Sequence, residues 1–436
     1  MKSFHSRDEL VERQRQRLLA MLDSTLPANR FYQSRLSACG PWGKELSLDA
    51  ILRSLPLTTK TDLTEDHRRH SPFGSHLTYP VERYTRCHQT SGTGGFSLRW
   101  LDTPESWDWM LSNWAQVYEA AGVTAEDRIY FAFSFGPFLG FWTAFESAVR
   151  LGCLCFPAGG LSSVARARGI VESSATVLCC TPTYALHLGE TLRAEKLEAG
   201  GLSVRRILVA GEPGGSLPAT RRRIESLWKG ASVHDHHGMT EIGPVTYQCP
   251  RQPGVLHVME DAFIPEILDR ASNAPVPPGT PGELILTNLG RLGSPLLRYR
   301  TGDLAQAAPL GRCVCGTFNL ALQGGILGRI DDMVTVRGVN LYPSSVDEVI
   351  QRVAPQCEYQ VHVHSSSALA EARVRLESSE TATERSALAG RLEAELRNAF
   401  CLRFEIEWVE AGTLPRAEHK SRRWIRDDAP SDPPKR

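Results

Sequence analysis

Arg128-Ile129-Tyr130-Phe131-Ala132-Phe133 alternates in side-chain character as a short strand should, and its neighbours decide what kind of sheet it joins. Upstream, Trp107, Trp109 and Trp114 mark a helical pattern between Ser106 and Ala121. Downstream the pattern predicts a helix from about Leu139 to Leu151 and an apolar strand at Cys153 to Phe156. A helix at Ser163 to Ser173 and a strand at Ala175 to Cys180 come next, with a further strand through Val204, Leu208 and Val209. Strand and helix in alternation indicate an α/β core built on a largely parallel sheet.

Beyond this core, Leu10, Val11, Leu18, Leu19 and Leu22 recur at roughly helical spacing, so an amphipathic helix from Asp8 to Leu26 is expected to pack on the main domain. The Pro- and Gly-rich stretch Pro275 to Pro281 leads into Gly282-Glu283-Leu284-Ile285-Leu286, the turn and strand of a later, more antiparallel section. After Asp331 the pattern restarts as a compact set of strands and helices at Val334 to Val336, Pro343 to Val353, Tyr359 to His364 and Ser386 to Ala399. The domain boundary is placed near Asp331.

A chain of 436 residues fits a large domain followed by a smaller one. Its 49 basic residues balance 49 acidic ones, which removes the bulk attraction that nucleic acid or an anionic bilayer would need. No apolar run reaches the roughly 18 residues of a membrane span, and Lys2, His5, Arg7, Asp8 and Glu9 interrupt any secretory signal. A soluble cytoplasmic protein with no nucleic-acid or membrane partner is expected. The 11 cysteines form no secreted framework, and those in apolar runs (Cys153, Cys155, Cys179, Cys180) read as buried thiols.

Several segments carry chemistry. In Thr90-Ser91-Gly92-Thr93-Gly94-Gly95, small residues let backbone N–H groups and the Ser91 and Thr93 hydroxyls cradle phosphate oxygens, though alone it reads equally as a plain loop. It is not a GxxxxGK[ST] loop, because no Lys follows at the required place. Asp235-His236-His237-Gly238-Met239-Thr240-Glu241 ends in a carboxylate suited to Mg²⁺, or is a solvated turn. Arg298-Tyr299-Arg300-Thr301-Gly302-Asp303 offers an Asp that can accept both ribose hydroxyls, or is a surface turn. Gly328-Arg329-Ile330-Asp331-Asp332-Met333, Arg337-Gly338-Val339-Asn340 and Pro415-Arg416-Ala417-Glu418-His419-Lys420 follow. A cation on a mobile element such as Lys420 can stabilise charge developing on phosphate and carboxylate oxygens. Cys313-Val314-Cys315, with Cys249 and His257 upstream, offers thiolates and imidazole suited to tetrahedral Zn²⁺. The spacing is not that of a zinc finger, and scattered buried cysteines are the bland alternative.

In this order the segments resemble the adenylate-forming superfamily. Leu55-Pro56-Leu57-Thr58-Thr59-Lys60-Thr61-Asp62-Leu63, Thr181-Pro182-Thr183-Tyr184-Ala185-Leu186, Gly211-Glu212-Pro213 and Arg337 to Ser344 narrow the resemblance to the phenylacetate–CoA ligase family, over nearly the whole chain. The resemblance implies a large N-terminal domain (1–330) with mixed sheets and a small mobile α+β domain (331–436). It implies ATP-dependent activation of an aromatic acid to acyl-AMP with pyrophosphate release, then thioester formation with coenzyme A. A carrier-protein phosphopantetheine is the alternative acceptor, a catalytically degenerate adenylate-binding protein the reading from another class, and a homodimer the implied assembly.

Residue by residue, the resemblance gives Ser91, Gly92, Thr93, Gly94 and Gly95 the β- and γ-phosphates. Glu212, Pro213, His237, Gly238 and Met239 would frame adenine, with Thr240 facing the α-phosphate and Glu241 the Mg²⁺. Asp303 would bind ribose, assisted by Arg329, and Asp331 would be the hinge. In one domain orientation Lys420 would reach the site for adenylation; in the other Arg337 and Gly338 would line the thiol tunnel. Phe135, Gly136 and Phe138, with Ala210, Gly211 and His236, would surround an aromatic ring. Cys249, His257, Cys313 and Cys315 would hold a structural zinc tying the loop after Glu241 to the region of Arg298 to Asp303. Two departures stand out: Phe96 where the family commonly has Lys after the phosphate loop's second Gly, and His237 where it has Tyr. The first removes a cation near the triphosphate; the second leaves a ring that can still stack.

Overall fold

Residues 128–133 supply the strand Arg128–Phe131, at the point where a five-stranded sheet changes direction of growth. A computed structural model describes residues 4–24, 26–43, 45–90, 97–197, 201–337, 339–364, 371–378, 381–415 and 423–427. On one side of Arg128–Phe131 lies Leu154–Pro157; on the other come Val177–Cys180, Arg206–Val209 and Ser232–Asp235, every pair parallel. Parallel neighbours need crossovers, here the helices Leu139–Leu151, Ser163–Glu172, Pro182–Ala194 and Pro218–Leu227.

Alternation along the first strand feeds two cores. Ile129 and Phe131 pack with Trp114, Tyr118, Ala144 and Ala148. Tyr130 packs on the opposite face with Ala167, Ile170, Tyr184 and Leu188. The loop after Phe131 therefore lies at the topological switch point, beyond the carboxyl ends of the strands, where open α/β sheets bind their ligands.

Local chemistry sets the helix starts. Thr103 and Thr181 accept the N–H groups of Ser106 and Tyr184, with Pro104 and Pro182 in the first helical turn. The strand expected at 153–156 lies instead at Leu154–Pro157, because Gly152 adopts a left-handed φ of 94° and the Cys153 N–H completes the helix cap on Ala148 O at 3.1 Å.

The antiparallel section is a six-stranded sheet ordered Thr246–Gln248, Val255–Val258, Ala321–Arg329, Tyr299–Ala307, Pro281–Asn288, Phe263–Leu268. Its Tyr247, Leu256, Leu284 and Leu322 join the first core. Beyond it, a mixed sheet of Glu405–Val409, Glu371–Glu377, Tyr359–His364 and Trp424–Asp427 is covered by the helices Pro343–Val353 and Ala382–Phe400. This part has its own hydrophobic cluster, running from Val334 to Phe404. The architecture is the α/β one expected, a large part with mixed sheets followed by a small α+β part. Among the described residues no helix is long and apolar enough to cross a membrane.

Candidate active site

Strand Ser232–Asp235 runs at its carboxyl end into His236 and His237, after which Gly238–Met239 pairs with Gly243–Pro244 and folds the segment back. Arg291 holds this turn: its Nη1 donates to Thr240 O at 2.7 Å, while Asp102 receives its Nε and Nη2 at 2.6 Å each. Both members of the pair are fully buried, so removing either carboxylate or guanidinium would leave an uncompensated charge in the core.

Glu241 is 6% exposed. Its Oε1 accepts from the Tyr299 hydroxyl at 3.3 Å and lies 3.8 Å from Lys60 Nζ. Lys60 opens the helix Lys60–Arg69, whose start is set by a capping box between Thr59 and Asp62. Backbone bonds from Thr58 N–H to Arg298 O (3.0 Å) and from Arg300 N–H to Thr58 O (2.9 Å) stitch that helix start to the strand bearing Asp303.

Asp303 is 2% exposed, with Oδ1 accepting from Arg329 Nη1 at 3.0 Å and Oδ2 lying 3.2 Å from His237 Nε2. Burial pushes its carboxyl up, but His237 and Arg329 outweigh burial and hold it below the usual carboxylate value. The His237 contact is poorly aligned, so Oδ2 keeps no satisfied hydrogen bond. A buried acceptor in that state is costly, and a ligand hydroxyl would satisfy it.

Other expected residues fall around this centre. Glu212 is engaged: its Oε1 accepts Thr183 N–H at 2.8 Å and the Thr183 hydroxyl, capping the helix Pro182–Ala194. Gly211 and Pro213 are exposed and Ala210 is half-buried. Phe135 packs edge-on against Trp142 and Phe145, ring centres 5.1 and 5.4 Å apart, and Trp142 Nε1 donates to Gly136 O at 3.0 Å. Phe138 stands 38% exposed at the N-cap of Leu139–Leu151, where the chain turns into the helix, beside Gly136. Asp331 is exposed, 3.4 Å from Arg329 Nη2, and Arg337 pairs with Glu371. Ser91, Gly92, Thr93, Gly94, Gly95, Gly338 and Lys420 lie outside the described residues. Sequence reasoning missed Lys60, Tyr299, Asp102 and Arg291. Lys60 sits in a quoted motif, but nothing linear announces its approach to Glu241.

The candidate metal centre is assembled. Cys249, His257, Cys313 and Cys315 bring their ligand atoms within 4.8 Å of one another. Cys249 Sγ and Cys313 Sγ are 3.8 Å apart, and Cys315 Sγ is 3.4 Å from His257 Nε2. A tetrahedral zinc with bonds of about 2.3 Å to sulfur spaces its sulfurs about 3.8 Å apart, so the donor set fits. His257 Nδ1–H donates to Asn319 O at 3.2 Å, which leaves Nε2 as the ligating atom. Gly316, at a left-handed φ of 95°, turns the Cys313–Cys315 loop back through its N–H to Cys313 O at 2.8 Å. One expectation is corrected. The cluster joins the Thr246–Gln248/Val255–Val258 hairpin to the connection following Tyr299–Ala307, the end of that nine-residue strand remote from Arg298. At about 3.4 Å per residue, the strand carries Cys313 and Cys315 away from Arg298. A second grouping, Asp66, His67 and His76, is not free to ligate, because both His67 nitrogens face backbone carbonyls, Leu63 O at 2.9 Å and Arg99 O at 3.0 Å.

Comparison with known proteins matches residues 106–290 to the AMP-binding enzyme family and residues 338–428 to the AMP-binding enzyme C-terminal domain. The chain is 31% identical to a phenylacetate-coenzyme A ligase of Escherichia coli over 430 residues, 95% of this chain and 94% of that one. It is 33% identical to a phenylacetate-coenzyme A ligase of Thermus thermophilus over 376 residues, 85% of this chain and 81% of that one. Among solved structures, 2-hydroxyisobutyryl-CoA ligase in its postadenylation state superposes with a TM-score of 0.91 at 27% identity, covering 98% of this chain and 91% of that one. The same ligase in its thioesterification state superposes with a TM-score of 0.73.

Proposed function

From a chain that belongs to the phenylacetate–coenzyme A ligase family of AMP-binding enzymes, we infer an aromatic acid as substrate for the two-step reaction. The protein is an AMP-forming acid–thiol ligase: ATP and a carboxylic acid give acyl-AMP and pyrophosphate, and coenzyme A then takes the acyl group. The observation that carries the residue assignment is the convergence of buried Glu241 and Asp303 with Arg329 and Lys60 beyond the carboxyl edge of the sheet.

Asp303, with its unsatisfied Oδ2, and Arg329 hold the ribose. Thr240, fixed through Arg291, faces the α-phosphate, and Ser91 to Gly95 take the outer phosphates. Glu241 would hold Mg²⁺, whose charge offsets that of the phosphate oxygens when bound. The acid carboxylate attacks the α-phosphorus as the bond to pyrophosphate breaks, and Lys420 neutralises charge on the oxygens around it. Cys249, His257, Cys313 and Cys315 would hold a zinc with no open position and no part in the chemistry.

Lys60 is read as a cation that supports ATP binding, because its ammonium lies 3.8 Å from Glu241, the proposed Mg²⁺ ligand. Lys60→Ala is expected to raise the KM for ATP about tenfold, with Lys60→Arg retaining most of the affinity; steady-state pyrophosphate release checks it.

The Phe135 cluster favours a flat apolar substrate. A second reading, a small hydroxy acid, is favoured by the likeness to 2-hydroxyisobutyryl-CoA ligase. The test is a pyrophosphate-release screen over aryl, arylacetic and 2-hydroxyisobutyric acids, with coenzyme A or a phosphopantetheinylated carrier as acceptor. Release only with the aliphatic acid would sink the aromatic assignment, and thioester formed only on the carrier would move the acceptor.

The contrast between TM-scores of 0.91 and 0.73 supports a small domain held in the adenylation-related orientation. The latch we read is Glu348. It accepts Ala219 N–H at 3.2 and 3.3 Å, capping the helix Pro218–Leu227, whose own N-cap Leu217 has no side-chain acceptor. Arg223 Nη1 adds a bond to Gln351 Oε1 at 3.0 Å. Rotation uncaps that helix, at a cost of about 1 kcal/mol. Glu348→Ala is expected to shift the domain equilibrium roughly fivefold toward the thioester orientation; distances between spin labels on the two parts measure it, and an unchanged distribution would remove the latch.

A further inference from the structure

His236 follows strand Ser232–Asp235 directly, its N–H donating to Val209 O at 3.0 Å, so its backbone is anchored beside Ala210 at the carboxyl edge of the sheet. The ring is 5% exposed and lies against Trp114, ring centres 4.4 Å apart. Nδ1 is 2.7 Å from Thr246 O. A carbonyl oxygen only accepts, so Nδ1 carries the proton, and burial holds the imidazolium back by lowering the pKa to about 4. In the neutral ring with this tautomer, Nε2 presents a lone pair. That nitrogen has no partner among the described residues and is not among the sealed, unsatisfied atoms of the core. It lies over the backbone of Gly238, where a Cβ would come within 3.3 Å of it. Gly238 opens the segment leading to Thr240 and Glu241, and the family resemblance assigns His236 to the acid pocket, a placement that turns Nε2 toward the carboxylate to be activated. Phe135, expected to flank the substrate ring, sits among the aromatic rings of Trp142 and Phe145.

We infer that His236 Nε2 is a specificity-determining acceptor, selecting acids that carry a hydroxyl or amino group next to the carboxylate: α to it in an arylacetic acid, ortho to it in a benzoic acid. The substrate O–H or N–H donates to Nε2, and an acid without that group leaves a buried lone pair unsatisfied. The inference rests on the ligase reading and narrows its substrate class.

The experiment compares kcat/KM for acid-dependent pyrophosphate release within matched sets: phenylacetic and mandelic acid; benzoic, 2-hydroxybenzoic and 4-hydroxybenzoic acid. The α- and ortho-hydroxy acids are expected to exceed their parents, and the para isomer, by at least about tenfold. In His236→Leu the ratio is expected to fall to about one, while His236→Gln, whose amide oxygen can accept from the same position, keeps part of the preference. Equal or greater turnover of the unsubstituted acids by the parent protein, or a ratio that survives in His236→Leu, overturns the inference and leaves the ligase reading standing. No release with any acid overturns the ligase reading, and this inference with it.

Discussion

Glu241→Gln is expected to lower acid-dependent pyrophosphate release by about 10²- to 10³-fold. The substitution keeps the side chain's size and its contact with Tyr299 but removes the negative charge from a position only 6% exposed. That buried carboxylate faces the Lys60 ammonium 3.8 Å away, and no other carboxylate among the described residues contacts Tyr299 or Lys60 there. Lys420→Ala in the same assay is expected to lose a comparable factor, with one difference that separates the roles. When acyl-AMP is supplied directly, thioester formation should survive in Lys420→Ala, because that ammonium is needed only while the anhydride forms. Rapid-quench measurement of the two half-reactions decides the matter: a Lys420→Ala enzyme as fast as its parent in the first half-reaction would refute the mechanism, as would an unimpaired Glu241→Gln enzyme.

Purified protein is expected to hold one zinc per chain, and Cys315→Ser to lose it. The cluster would tie a hairpin to a distant strand connection through four candidate ligands, and none of the loops involved has a large core of its own: Cys313 and Cys315 are half-buried, and Val314 between them is 72% exposed. Metal binding at such a site is folding free energy. The unfolding midpoint should drop by several degrees, on the order of 5 °C, for Cys315→Ser or on treatment with a strong chelator. Cys87→Ser, at an exposed thiol outside the cluster, serves as the control and should change neither zinc content nor midpoint. Elemental analysis without stoichiometric zinc would remove the site, whatever the midpoint does.

These two experiments probe features that differed in how far they could be read from the chain alone. Glu241, Asp303 and Arg329 stand in short segments that read singly as turns, and their expected roles came from the resemblance of the ordered set. The candidate zinc ligands were legible as a set, but what the set joins was not. Cys313 follows a nine-residue strand that carries it away from Arg298, and strand direction is settled by pairing across the sheet. Phe138 belongs to the same aromatic stripe as Phe135, yet only the turn into Leu139–Leu151 separates an exposed ring from a packed one.

From sequence alone came the α/β class, the largely parallel sheet and helices such as those at Pro104–Ala120, Leu139–Leu151 and Ser163–Glu172. These follow from periodicity and capping within windows of ten or twenty residues, where the backbone's own geometry suffices. Tertiary structure alone decided that Lys60 meets Glu241, that Asp102 and Arg291 clamp Thr240, that His237 leans on Asp303, and that Glu348 caps a helix in the other part of the molecule. Each of these joins residues far apart in the chain, and such meetings depend on sheet order and register, which arise from the packing of the whole core rather than from any local preference.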